Sequence, residues 1–354
     1  MFWREIDSDD LEKLDRDGYV IIDDFIEDFS KLETMRDELR AIPISESGFD
    51  SHFKNDSHVK NDSSVATMRP NRTHFLDKAN NRRFLFSKPG VYEYDMHESS
   101  SADGASMETL KEFFAETGKF LANAFNAAMN NNEKMLNSLR CKPGCENRTV
   151  KLQINKSGAF PYHIDNPGGS SNVTRRKLTC ILYLNEEYED VNGGEIVLVP
   201  FMGNFINVRP LFNRLCVFKS ESMLHRVNKA NGFKDPGRLC LTIWLDGDDN
   251  LAKEDPREIR KNLIEKKNDK NSLIAYIRES PDAQRFCSRF VYRDEYEVSL
   301  LDSHDNDNGC EKMLDAHSNA VKELRRTNDE ELLNVLELLR QMRHDFADES
   351  FIRL

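Results

Sequence analysis

The stretch LTCILYLNEEYEDVNGGEIVLVP, from Leu178 to Pro200, holds two short apolar runs parted by an acidic turn that ends in Gly193-Gly194. Runs this short, rich in Val, Ile, Leu and Thr and bounded by Gly, Pro, Asn and charged residues, are read as strands. The pattern recurs around it, over residues 149–155, 178–184, 194–200, 204–209, 215–219 and 238–246. Short strands so spaced predict a sandwich or jelly roll.

On both sides of this block the period changes. Leu11 and Leu14 before Gly18 predict a short helix with a glycine stop, and Tyr19 to Ile22 a brief strand. Phe29, Leu32, Met35 and Leu39 recur at helical spacing. Leu110, Phe113, Phe114, Leu121 and Phe125 predict one long amphipathic helix that buries a broad face against a sheet. Residues 47–64 and 97–106 are polar and read as loops. Helical patterning returns after residue 251, with a charged stretch Glu254 to Lys267, apolar Leu273, Ile274 and Ile277, and a polar break from Asp302 to Gly309. Thr327 with Glu330 forms a capping box ahead of Leu332, Val335, Leu336, Leu339 and Met342, a face widened by Leu333 and Leu338. The tail is expected to pack on the β-core; a homodimer through the C-terminal helices is the alternative. The expected regions are 1–148 (N-terminal helix and strand support), 149–250 (β-core) and 251–354 (charged helical extension).

Acidic residues outnumber basic ones by 62 to 50, a formal charge of −12 that runs against nucleic acid or an anionic membrane as partner. No apolar run approaches the roughly 20 residues of a membrane helix, so no membrane span is expected. The opening MFWREIDSDD is acidic and lacks the apolar centre of a secretory signal. Seven widely spread Cys then read as reduced thiols of an intracellular protein, cytoplasmic or nuclear. Cys141 and Cys145 have no second Cys pair to complete a zinc site.

Tyr162 to Pro167 reads YHIDNP. His163 and Asp165 are two apart, so in extended chain both point to one side. A second histidine, His225, follows downstream. Two imidazoles and one carboxylate make a facial triad, which leaves three positions of an octahedral iron(II) open. Arg238 begins the run RLCLTIWLD, and Thr242 shares its face. Such an Arg holds a carboxylate by a two-pronged, charge-assisted bond, and the Thr adds a hydroxyl. Each residue alone has an ordinary reading: a surface polar pair, a structural histidine, a solvated strand end. Together and in this order they suit iron(II) bound beside a dicarboxylic keto acid. Zinc takes the same donors but does not account for the Arg-x-x-x-Thr strand.

Five motifs carry a family likeness: HIDNP at His163 to Pro167, LTCILYLN at Leu178 to Asn185, GGEIVLVP at Gly193 to Pro200, RLCVF at Arg214 to Phe218 and RLCLTIWLDG at Arg238 to Gly247. With them, residues 149–247 resemble the iron(II)/2-oxoglutarate dioxygenases, in the prolyl-hydroxylase branch that includes the oxygen-sensing enzymes. GYVIIDDFI at Gly18 to Ile26 is similar to that superfamily's N-terminal strand. The resemblance implies an α+β fold: a double-stranded β-helix of jelly-roll or cupin-like form, braced by N-terminal helices, with a helical C-terminal extension. It implies His163, Asp165 and His225 as iron ligands and catalytic centre, and Arg238 on the distal carboxylate of 2-oxoglutarate, helped by Tyr183 and Thr242. Tyr183 also fits on its own, as an inward phenol able to donate to a carboxylate. Gln153 stands where the oxygen-sensing enzymes carry a Tyr that grips the cosubstrate.

The implied reaction consumes 2-oxoglutarate and O2, yields succinate and carbon dioxide, and hydroxylates a prolyl or other residue of a protein, with L-ascorbate as an auxiliary reductant. A free small molecule as substrate, or an inactive interaction scaffold, are the rival readings. Order over the iron in the loop around residues 47–75 would favour a peptide cleft. Arg175, Arg176 and Lys177 are expected to line the mouth and attract an acidic peptide, with Arg69, Arg72, Arg82 and Arg83 as further candidates. The stretch from His225 to Arg238 is longer than in those enzymes, with an insertion around Ala230 to Asp235.

Overall fold

The computed structural model describes residues 3–45, 66–77, 82–98, 107–130, 132–166, 175–234, 236–247, 254–304, 308–327, 330–346 and 352–354. Helix α1 (Ser8–Asp17) is capped by the Asp7 carboxylate and stopped by Gly18 at φ 81°, a conformation glycine takes without strain. Strand β1 (Tyr19–Ile22) and helix α2 (Phe29–Ala41) follow, then two strands that the sequence pattern does not announce, β2 (Arg69–Asp77) and β3 (Arg82–Asp95). The expected long helix is two helices, α3 (Glu108–Glu116) and α4 (Ala122–Ala128), joined by a π turn over Thr117–Leu121. Helix α5 (Glu133–Leu139) leads into the β-core: β4 (Arg148–Asn155), β5 (Phe160–His163), β6 (Arg176–Tyr183), β7 (Ile196–Val199), β8 (Ile206–Val208), β9 (Leu215–Lys219), β10 (Leu224–Val227) and β11 (Arg238–Asp246). The extension is helical: α6 (Pro256–Glu265), α7 (Lys270–Glu279), α8 (Pro281–Val291), α9 (Arg293–Ser303), α10 (Asn308–Thr327) and α11 (Glu330–Phe346), before a short β12 (Ile352–Arg353). Pro at the first position of α6 and α8, after Asp255 and Ser280 caps, sets two of these starts.

The strands form two sheets, β1-β9-β6-β11-β4-β3-β2 and β12-β8-β7-β10-β5. Alternation sorts the side chains into three layers. Leu239, Leu241, Ile243 and Leu245 of β11 turn outward and pack with Leu11, Leu14, Phe113 and Phe125 of the N-terminal helices. Tyr183, Ile196, Leu198, Phe218 and Cys240 turn inward and fill the space between the sheets. On the far side, Tyr162, Val197, Val199 and Leu224 of the smaller sheet meet the C-terminal helices through Leu273, Phe290, Leu336 and Leu339. This is a double-stranded β-helix, clothed by helices on both outer faces. The inserted segment before β11 lies on the β6–β7 connection, where Ala230 bridges Gly193 and Asn231 donates to the Asn192 carbonyl. The segment 47–64 and most of 97–106 lie outside the described residues, as does the side chain of Thr327, which ends α10 and was expected to form a capping box with Glu330. No described helix is long and apolar enough to cross a membrane.

Candidate active site

His163 closes β5, and His225 lies directly opposite it on β10 in the register of the smaller sheet. Their rings are 4.2 Å apart between centroids. Asp165, just beyond the strand, places Oδ1 3.5 Å from Nε2 of His163 and 3.8 Å from Nε2 of His225. Among the described residues, these are the ones that bring three potential metal-ligating atoms within 4.8 Å of one another. The tautomers follow from the other ring nitrogens. Nδ1 of His163 is 2.8 Å from the Pro161 carbonyl, and Nδ1 of His225 is 3.0 Å from the Met223 carbonyl. A carbonyl only accepts, so each Nδ1 carries a proton, and in the neutral ring each Nε2 keeps its lone pair toward the centre.

Asp165 is fixed from its other oxygen. Oδ2 accepts from Thr179 Oγ1 at 2.7 Å and from Trp244 Nε1 at 2.9 Å, which leaves Oδ1 for the centre. Thr179 and Trp244 face each other in the β6–β11 register. Asn166 ties down the next residue, its N–H donating to the Ser220 carbonyl and its side-chain amide to the Arg176 carbonyl. Burial alone would raise the Asp165 carboxyl. The neighbouring His225 and His163 and the Thr179 hydroxyl outweigh it and hold the group well below the usual carboxylate range. Burial, with His163 adding to it, pushes His225 down to about 4. Two imidazole nitrogens and one carboxylate oxygen are the donor set that a facial iron(II) site needs.

The second half of the site runs along the inner face of β11, where Arg238, Cys240, Thr242 and Trp244 alternate inward. Arg238 is 1% exposed, yet among the described residues it forms no ion pair. Its Nη1 donates only to the Cys240 sulfur, a weak acceptor, at 3.3 Å. Its Nε–H and the hydroxyl of the fully buried Tyr183 have no hydrogen-bond partner among the described residues. The guanidinium lies 5.0 Å from the Tyr183 ring centre. Burial raises the Tyr183 phenol far above its ordinary value, so it stays a donor. Gly194 makes room for this arrangement: at φ +75°, a Cβ there would lie 2.9 Å from Arg238 Cδ. Gln153 sits opposite Cys240 on β4 and accepts from Thr242 Oγ1 at 3.4 Å. An unpaired cation is costly to bury, and two idle donors beside it fit an anionic group such as a carboxylate.

The structure brings His163, Asp165 and His225 into one cluster, and Arg238, Tyr183, Thr242 and Gln153 into a second along β11. The residues that sequence reasoning passed over are Thr179, Trp244 and Cys240. The signal for them was the period of two, since each lies two, four or six positions from Tyr183 or Arg238. The basic run after the HxD motif differs from expectation. Lys177 is buried, because it pairs with Glu221 at 2.8 Å, and does not line a mouth. Arg176 stacks on the Trp244 ring at 4.1 Å, and Arg175 is exposed. Arg72 is exposed and Arg69 half-buried, while the side chains of Arg82 and Arg83 and most of the loop around 47–75 lie outside the described residues.

The family model of the 2OG-Fe(II) oxygenase superfamily matches residues 150–246. Among solved structures, a prolyl 4-hydroxylase from Phytophthora capsici is similar at 28% identity, over 96% of this chain and 93% of that one, with a TM-score of 0.67. A Pseudomonas putida prolyl-4-hydroxylase is 16% identical over 68% of this chain and 98% of its own, with a TM-score of 0.42. A Trichoplax adhaerens prolyl hydroxylase, solved with a peptide fragment of the hypoxia inducible factor oxygen degradation domain, is 18% identical over 68% and 88%, with a TM-score of 0.42.

Proposed function

We propose that the chain is a 2OG-Fe(II) oxygenase that hydroxylates prolyl residues of a protein, with His163, Asp165 and His225 holding iron(II) and Arg238 holding 2-oxoglutarate; the family model over residues 150–246 and the likeness to the Phytophthora capsici enzyme support this reading. The observation that carries the assignment is the buried, uncompensated Arg238 on the inner face that leads to the three-donor centre. Bound there, iron(II) with 2-oxoglutarate and dioxygen supplies the oxidising chemistry, with decarboxylation of the cosubstrate to succinate. The protein's own part is placement. His163 and His225 present lone pairs because their Nδ1 protons are engaged by backbone carbonyls. Thr179 and Trp244 keep Asp165 from rotating. Arg238 and the Tyr183 hydroxyl take the distal carboxylate; Thr242 and Gln153 flank it, the amide standing in for a phenol. Ile196, Leu198, Val208 and Phe218 wall off water between the sheets.

The prolyl substrate is supported by the Phytophthora capsici enzyme, whose likeness runs through the C-terminal helices as well as the core. Arg176, stacked beside the Asp165 support, is the residue best placed to meet a peptide. L-ascorbate belongs to the same reading as the reductant that restores iron(II) after turnover without substrate. We propose the three-part division at 1–148, 149–250 and 251–354 as the working map, and an intracellular site, cytoplasmic or nuclear, in keeping with the free cysteines. A homodimer through the C-terminal helices would rely on exposed Val298 and Leu301 of α9, because Leu332, Val335, Leu336, Leu339 and Met342 of α11 are buried within the chain.

The test is an anaerobic titration of the protein with iron(II) and 2-oxoglutarate, following the visible metal-to-ligand charge-transfer band. A band abolished by His225→Ala and weakened by Arg238→Ala is expected. A folded wild-type protein without a band would overturn the assignment of the site. Proline-containing peptides that gain one oxygen only with 2-oxoglutarate present would establish the substrate class, and turnover of free small molecules alone would replace it.

A further inference from the structure

His163 and His225 point into the barrel, so their chain neighbours point out of it. These are Tyr162 and Ile164 beside His163, and Leu224 and Arg226 beside His225. Tyr162, Ile164 and Leu224 pack into the core of the C-terminal helices. Arg226 lies over the Tyr162 ring at 5.4 Å and donates to Asp302 Oδ2 at 3.2 Å. β5 is the edge strand of its sheet and pairs with β10 through an irregular register. An edge strand has backbone donors with no strand to meet them. The Tyr162 N–H is met instead by Ser299 Oγ of α9 at 3.0 Å. Ser299 is 1% exposed, and its own proton goes to the Tyr296 carbonyl at 2.8 Å. The Tyr296 ring stands 6.0 Å from that of Tyr162. Helix α9 therefore lies along the free edge of the strand that carries His163, and one turn further on grips the strand that carries His225.

We propose that α9 positions the metal centre: Ser299 and Asp302 hold β5 against β10 and so fix the separation of the two imidazoles. Both are positioning residues, since neither reaches the donor cluster. The inference rests on the reading of His163, Asp165 and His225 as a metal site. It gives the helical extension a role in the chemistry, through two strands that it covers from behind.

The test uses the full chain, with cobalt(II) as a spectroscopic probe and hydrogen exchange at the Tyr162 amide as a second readout. Ser299→Ala is expected to speed that exchange and to weaken cobalt(II) about tenfold, the scale of lost support behind a metal ligand. Asp302→Asn, at a half-exposed carboxylate, is expected to weaken it by a smaller factor. Val335→Ala thins the same helical core on α11, which packs on α6 and α8, and is expected to leave cobalt(II) affinity unchanged. Cobalt(II) binding within twofold of wild type in Ser299→Ala, or an equal loss in Val335→Ala, overturns the proposal. Should Ser299→Ala not fold, Asp302→Asn against Val335→Ala decides it by the same comparison. A wild-type protein that binds no cobalt(II) refutes the metal site itself, a different result.

Discussion

Three buried cations without a carboxylate partner stand out among the described residues, Arg238, Lys88 and Arg148, and of these Arg148 is satisfied by the Cys145 and Phe114 carbonyls. A buried charge left unpaired is a cost to the fold, and replacement by an apolar side chain of similar volume relieves it. Arg238→Met is therefore expected to raise the stability of the ligand-free protein by about 1–3 kcal/mol while its affinity for 2-oxoglutarate falls about 100-fold or more. Urea midpoints and a cosubstrate titration check both halves, and a loss of stability would mean that Arg238 serves the fold rather than a ligand. Lys88 donates to the Asn71 amide oxygen and sits 4.7 Å over the Phe160 ring. Burial, opposed by Glu93, pushes its amine down to about 8. The unfolded chain keeps the ordinary lysine value near 10.4. Between those values the unfolded chain binds a proton that the folded one does not, so stability should rise with pH across that window, by at most about 3 kcal/mol. Below pH 8 both states are charged and this slope vanishes. Lys88→Met is expected to flatten the slope; a slope that survives the substitution would assign it to another group.

Among the elements, the π turn between α3 and α4 shows how local geometry fixes the frame of the site. Gly118 in that turn is buried, and a Cβ there would lie 2.6 Å from Cys145 Sγ and 2.7 Å from the Arg148 guanidinium. Arg148 begins β4, stacks on Phe114 at 3.9 Å and donates to the Phe114 carbonyl. Gly118→Ala should cost about 1–3 kcal/mol by overpacking, seen as a lower Tm, with metal affinity of the folded protein unchanged. Periodicity predicted the helix but not its interruption, because the apolar spacing of Phe113, Leu121 and Phe125 is compatible with either. The strands divide in the same way. β6 and β11 announce themselves through long apolar runs. β5 (FPYH) and β10 (LHRV) do not, since four residues with a Pro, a His or an Arg show no clear pattern. β2 and β3 carry Pro and many charges, which suit the outer end of a sheet and obscure a strand in the sequence. The cluster of His163, Asp165 and His225, and Arg238 as a candidate anion holder, were legible because residue type and order alone single them out. Thr179 and Trp244 needed the strand register, and the burial of Lys177 needed Glu221, forty-four residues away in the chain.

For the whole molecule, the smaller sheet decides how the parts depend on one another. Its strand β7 reads IVLV and is buried throughout, with Ile196 and Leu198 facing the barrel and Val197 and Val199 facing the helices. A sheet apolar on both faces must be covered on both. The larger sheet covers one face; Leu273, Phe290, Leu336 and Leu339 of the extension cover the other. Residues 1–253 alone would present Tyr162, Val197, Val199, Phe201 and Leu224 to water as one patch. That fragment is expected to aggregate or to bind a hydrophobic dye strongly, and to lose the metal centre that two of these strands carry. The N-terminal helices, which cover the larger sheet, cannot compensate, because they lie on the opposite outer face. Dye binding, light scattering and cobalt(II) titration of the fragment would show this. A soluble fragment with wild-type metal affinity would mean that the smaller sheet holds its own geometry, and that the helices at its back are dispensable to the site.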